Sequence, residues 1–207
     1  MEISTALWSF ALVVGLLTLT PGLDTALILR TSALGHRRQA WGVVLGIQTG
    51  TLIWGTLTSA GVTALLTASH LAYEIVRWAG AAYLVWMGVG MLRSRGAEPA
   101  ADAVGPADGG FGYGWRRGTL TNLLNPKVGV FYVAMLPQFI PAGAPHFATG
   151  VALTCVHVVE GVLWSTVLVG FAQVVRGWLR RPAARRVLDR VTGAVVVGFG
   201  LKLAVSE

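Results

Sequence analysis

The sequence predicts an all-α integral membrane protein with six transmembrane helices, arranged as two inverted three-helix repeats in which helices 1 and 4 are broken. Composition is the first reason. Of the 207 residues 54% are hydrophobic and only 12% charged, where a soluble domain carries about 25% charged residues; mean hydropathy is +0.65. The second is a succession of apolar stretches, each near the roughly 20 residues that a helix needs to cross a bilayer. The third is a pair of helix breakers, Pro21-Gly22 and Asn125-Pro126, at corresponding places in the first and fourth stretches.

The stretches fall at about 5–29, 41–67, 71–92, 117–140, 147–175 and 187–205. The third and sixth are the weakest, since their first turns hold Glu74 and Arg77, and Asp189 and Arg190. One connection has soluble composition: "RSRGAEPAADAVGPADGGFGYG", residues 93–114, rich in Ala, Gly, Pro and Asp and expected to be flexible. It separates a first repeat, 1–92, from a second, 115–207. The opening "MEISTALWSF" lacks a basic leader region and a small-residue cleavage motif before Pro21, so it reads as a retained first span.

Net charge is +7, from 16 Lys and Arg against 9 Asp and Glu. The basic residues lie between apolar segments, which argues for membrane topology and against a nucleic-acid partner. Arg37 and Arg38 follow the first stretch; Arg93, Arg95, Arg116 and Arg117 flank the linker; Arg176, Arg180, Arg181, Arg185, Arg186 and Arg190 follow the fifth. The alternate connections are nearly bare, and "PQFIPAGAPHF" has no Lys or Arg. Basic loops stay cytoplasmic, so both termini are expected outside.

The halves resemble each other. "RWAGAAYLVWMGVG" (77–90) and "RVTGAVVVGFG" (190–200) share Arg-x-x-Gly-Ala and a later glycine pair. Three spans per half means that the halves cross in opposite senses. Inverted repeats with matching broken helices are a secondary-transporter plan, and the breaks point to the binding site.

Each proline removes a backbone donor, and in lipid the freed carbonyl is tolerated only where protein or a wet cavity satisfies it. Beside the breaks stand Asp24 and Lys127. At about 1.5 Å per residue, Asp24 is roughly 9 Å from Arg30, and Lys127 roughly 15 Å from Arg117. A lone charge at such depth costs about 2.5–3.5 kcal/mol on insertion scales. The two are therefore expected to approach each other across the repeat interface. Asp24 could also cap the helix that resumes after Pro21-Gly22. New helix N-termini suit a carboxylate and freed carbonyls suit an ammonium, a pairing compatible with a zwitterionic amino acid.

In the fifth stretch, "CVHVVEGVLW" places His157 and Glu160 three apart on one helix face. Glu160 lies deep in apolar sequence and is a candidate proton carrier, or a structural hydrogen-bond partner for Gln48. Gln48, in "LGIQTGTLIW", is a candidate cavity-lining residue. Cys155 and His157 do not share a face, which argues against a metal site, and the single cysteine excludes an internal disulfide. Gly42, Gly46 and Gly50 recur every fourth residue, the pattern of close helix contact, within one chain or between protomers of a homo-oligomer. No phosphate-cradling loop and no nucleophile–base set with recognisable spacing occurs, so neither a cofactor nor an enzyme is expected.

"TPGLDTALILRTSALGHRRQAWGVVLGIQTG" and "GYGWRRGTLTNLLNPKVGVFYVAMLPQFI" resemble the two signature regions of the LysE/RhtB family of amino-acid exporters. The first is similar to that family's Thr-Pro-Gly-Pro-Asp stretch, with its basic loop and glycine-rich second span. The second is similar to its Asn-Pro-Lys stretch, with an aromatic run and Leu-Pro-Gln-Phe. The likeness covers nearly the whole chain. It implies a bacterial inner-membrane exporter of amino acids or close derivatives, driven by the proton or membrane-potential gradient. On matching positions it makes Pro21, Gly22, Asp24, Asn125, Pro126 and Lys127 the transport site. Leu23 stands where the family carries a second proline, and its intact N–H implies a milder break. Export of a metal cation on the same scaffold, with Asp24, His157 and Glu160 as ligands, is the alternative.

Overall fold

The computed structural model describes residues 2–68, 70–93, 109–172, 174–175 and 181–205; most of the 93–114 linker, with Arg95, lies outside them, as do Arg176 and Arg180. Among the described residues all regular structure is helical. The order is α1 (Ile3–Leu19), α2 (Leu23–Ala33), α3 (Arg37–Ala68), α4 (His70–Leu92), α5 (Gly110–Leu123), α6 (Pro126–Val130), α7 (His146–Gly170) and α8 (Pro182–Val205). Between α6 and α7 a π-helical turn, Phe131–Met135, runs into a 3₁₀ turn, Leu136–Phe139.

Each apolar stretch falls on a helix or a run of helical segments. Among the described residues two helical spans are long and apolar enough to cross a membrane, Arg37–Gly61 and His146–Gly170. The pair α1 and α2 makes a third if it counts as one span bent by 53°. The remaining stretches are shorter or less apolar; Trp78–Leu92 is one such apolar piece.

Both breaks have local causes. Thr20 leaves α1 with φ −72° and ψ 117°, and the next residue, Pro21, has no N–H to continue the ladder. Gly22, extended at φ −141° and ψ −162°, then starts α2 without a side-chain cap. The intact N–H of Leu23 does not prevent the bend. At the second break Asn125 caps α6: its Oδ1 accepts from the Lys127 backbone N–H at 3.1 Å, and Pro126 takes the first helical position, where no N–H is needed. Gly35, with φ 82°, ends α2 and turns the chain so that Arg37 and Arg38 start α3 exposed.

Glycines set the packing. Gly42 and Gly46 of α3 sit against the Phe111 and Trp115 carbonyls of α5, and Gly114 and Gly118 of α5 against the Gln39 and Val43 carbonyls of α3, so closely that a methyl at Gly46 would collide with the Trp115 carbonyl. The two matched segments, on α4 and α8, pack on each other. A Cβ on Gly88 would lie 2.8 Å from the Gly193 carbonyl oxygen, and the reverse distance is the same. Two apolar clusters form the core. One joins Phe10, Val14 and Leu17 of α1 to Leu84, Phe131, Tyr132, Met135 and Leu153. The other joins Leu27 and Ile28 of α2 to Val43, Val44, Ile47 and Leu168. Trp8 and Leu12 on α1, and Val159 and Leu163 on α7, point outward, as helix faces do when lipid is the solvent.

Candidate functional site

Between the two apolar clusters lies a cavity of about 70 Å³ with polar walls, room for a few water molecules. Its walls come from both broken segments and from α3 and α7. Thr18 and Thr20 of α1, Gly22, and Asp24 and Thr25 of α2 form one side; Asn122, Asn125 and Lys127 form the other. Thr51 of α3 and His157, Trp164 and Ser165 of α7 complete it.

The charges are held by the broken ends rather than by each other. The Lys127 Nζ donates to the carbonyls of Leu17 at 3.0 Å and Thr20 at 3.1 Å. Leu17 is four residues before Pro21, so Pro21 has removed the N–H that its carbonyl would meet in a continuous helix. Leu16 O is served separately, by the Thr20 backbone N–H at 3.1 Å and by the Thr20 hydroxyl at 2.7 Å. Thr192 of α8 closes this corner, its hydroxyl bonded to that of Thr20. Asp24 Oδ2 accepts from Asn122 Nδ2 at 2.9 Å, and the Asn125 amide stands beside the same carboxylate. No direct ion pair joins Asp24 to Lys127; Asp24 and Asp189 are the acids near enough to act on the ammonium through space.

Several polar atoms in this cavity are buried with no partner in the protein. They are Thr18 Oγ1, Asp24 Oδ1 and Trp164 Nε1; Asn122 Oδ1, also unpartnered, is turned to Gly50 of α3. A buried polar atom without a partner costs about 1–3 kcal/mol. Three such atoms on residues that line one space mark it as a place for water or a polar ligand. Lysine has three donors, and Lys127 gives two to the α1 carbonyls, leaving one.

The residues singled out from sequence fall into two groups. Gly22, Asp24, Asn125, Lys127 and His157 line the cavity. Pro21 and Pro126 shape it without lining it; Pro126 is exposed and faces an apolar cleft of about 390 Å³ beside Trp54 and Tyr83. The missing N–H, not the ring, is what the break uses. Gln48 is buried against Gly161, where a Cβ would lie 2.7 Å from its Oε1, and Ile47 and Thr51 face the cavity instead. Glu160 lies toward α1, its Oε2 about 3.4 Å from a Cβ built on Gly15; that oxygen too is buried and unpartnered. His157 Nδ1 meets the Tyr132 hydroxyl at 2.9 Å, and the two rings stack at 5.7 Å.

Asn122, Thr51 and Thr192 were not anticipated. Asn122 is brought to the cavity at the end of α5, just before the break at Asn125; Thr51 and Thr192 are brought in by tertiary packing. Cys155 is exposed, and among the described residues no three of His, Cys, Asp and Glu converge.

Known proteins resemble this chain over nearly its whole length. The chain is 33% identical over 199 residues to the homoserine/homoserine lactone efflux protein of Salmonella typhimurium, covering 95% of this chain and 96% of that one. It is 28% identical over 194 residues to the threonine efflux protein of Escherichia coli, covering 91% and 92%. It is 27% identical over 210 residues to the leucine efflux protein of an Enterobacter species, covering 95% and 94%. No solved structure matches. The family model for LysE type translocators matches residues 13–207, and the chain belongs to that family of membrane transport proteins.

Proposed function

We propose that this protein is a secondary transporter that exports an amino acid or close derivative across the bacterial cytoplasmic membrane by alternating access. The observation that carries the reading is the meeting of two helix breaks around one polar cavity holding Asp24 and Lys127. Efflux of homoserine, threonine and leucine by relatives supports the substrate class.

A zwitterion fits the unused groups. Its ammonium is received by Asp24 Oδ1, which has no partner in the protein. Its carboxylate is received by the third Lys127 donor and the uncapped N-terminus of α2 at Gly22. Pro21, Gly22, Asp24, Asn125, Pro126 and Lys127 together form the transport site.

Six spans in two inverted repeats, 1–92 and 115–207, supply the moving parts. Support comes from the pairing of α4 with α8 and of α3 with α7, which joins corresponding members of the two halves. Rocking of one half against the other would open the cavity alternately to each side. The exposed Arg37 and Arg38 suit a cytoplasmic turn, with both termini outside. A proton is the coupling ion, carried by Glu160, whose buried, unpartnered oxygen on α7 lies one turn from His157. The glycine faces are equally suited to homo-oligomer contacts.

The test is efflux of labelled amino acids from loaded proteoliposomes, by the full chain and by Asp24→Asn. Export by the full chain and its loss in the variant is the expected result; equal export by both would remove the site.

A further inference from the structure

The C-terminal mouth of α1 has the chemistry of a cation site. Its Leu17 carbonyl has lost its helical partner to Pro21. The Thr20 carbonyl stands where the chain leaves the helix, at φ −72° and ψ 117°. Both point at one spot, since the same Nζ bonds them at 3.0 and 3.1 Å. Thr18 Oγ1 lines the same cavity and is buried without a partner. A helix C-terminus carries partial negative charge, and two acids, Asp24 and Asp189, add to the field there. Carbonyls freed at half-helix ends are what coordinate sodium or a proton in broken-helix carriers. Here the spot is filled by Lys127, from the opposite break.

We infer that the α1 mouth is a monovalent-cation site which this protein fills with its own tethered ammonium. The inference rests on the transport reading for its meaning but not for its test. Lys127 supplies a tethered counter-charge to the α1 carbonyls and reaches them over its own stem from the first turn of α6. The intact protein therefore takes no metal cation or free ammonium at this point. Without the Lys127 head, the same oxygens face an empty space in a negative field, and a small cation enters.

The experiment is thermal unfolding of the purified full chain in detergent, titrated with methylammonium, sodium and choline at equal ionic strength. Wild type, Lys127→Ala and Lys127→Met are compared; Met keeps most of the apolar stem, should the alanine variant not fold. Wild type should respond equally to the three cations. In either variant, methylammonium or sodium should raise the midpoint over choline by at least about 2 °C. Variants that respond to small cations no more than to choline would overturn it. So would a wild type stabilised by sodium or methylammonium over choline, a result readable even if neither variant folds. No substrate is present, so failure here leaves the export reading standing, and failure of export leaves this result standing.

Discussion

Lys127 donates to the carbonyl of Leu17, the group whose helical partner is missing at Pro21. A proline in one half of the chain thus creates the acceptor, and a lysine in the other half satisfies it. The two breaks are one unit.

Pro21→Ala restores an N–H four residues after Leu17 and so competes with Lys127 for its carbonyl. The straightened segment should export less, while the protein stays folded. In a double-mutant cycle with Lys127→Met, the stability changes should fail to add by about 0.5–3 kcal/mol, because both act on one carbonyl. Chemical unfolding of the three variants measures this; additive changes would separate the two residues.

Asn122→Ala removes the donor to Asp24 Oδ2 and leaves that oxygen buried. A cost of about 1–3 kcal/mol is expected, together with a raised KM for export, as the carboxylate loses its fixed orientation. Asn122→Gln should not rescue it, since Gly50 sits against the Asn122 side chain and leaves no room for a longer one.

Two glycines of α3 make a contrast. Gly46→Ala forces a methyl into the Trp115 backbone, and overpacking of this kind costs about 1–3 kcal/mol or more. Gly61→Ala meets nothing within 4 Å and should gain up to about 1 kcal/mol from helix propensity. Unfolding of both in detergent checks the α3–α5 contact.

Glu160→Gln keeps the shape of the side chain beside Gly15 and removes its proton. If Glu160 couples transport, export driven by a pH gradient falls while exchange of labelled for unlabelled substrate persists. Loss of both, or of neither, would take Glu160 out of the coupling.

Much of the site was legible in the sequence because its cause is covalent. A proline cannot continue a helix, and an acid or a lysine beside it in apolar sequence needs a partner, so Pro21, Asp24, Asn125 and Lys127 stand out. What was not legible depends on rotation about a helix axis. His157 faces the cavity with Gly161, Trp164, Ser165 and Leu168, a stripe at helical spacing. Glu160 lies off that stripe, against α1, and Gln48 is turned toward Gly161. The expected approach of Asp24 and Lys127 is realised as a shared cavity, not as a direct pair. Proline-freed carbonyls and asparagine amides hold the charges first. Thr192 belongs to a helix far along the chain, and only the packed structure brings it to Thr20.

The central claim is that an amino acid is carried through the cavity between the two breaks. Efflux of labelled homoserine, threonine and leucine from loaded proteoliposomes, with equal amounts of wild type, Asp24→Asn and Lys127→Met inserted, tests it most directly. The account predicts that wild type exports at least one of them and that both variants slow it by at least about tenfold, the worth of one charge-assisted hydrogen bond of about 1.5–3 kcal/mol. Export by both variants at the wild-type rate would contradict it.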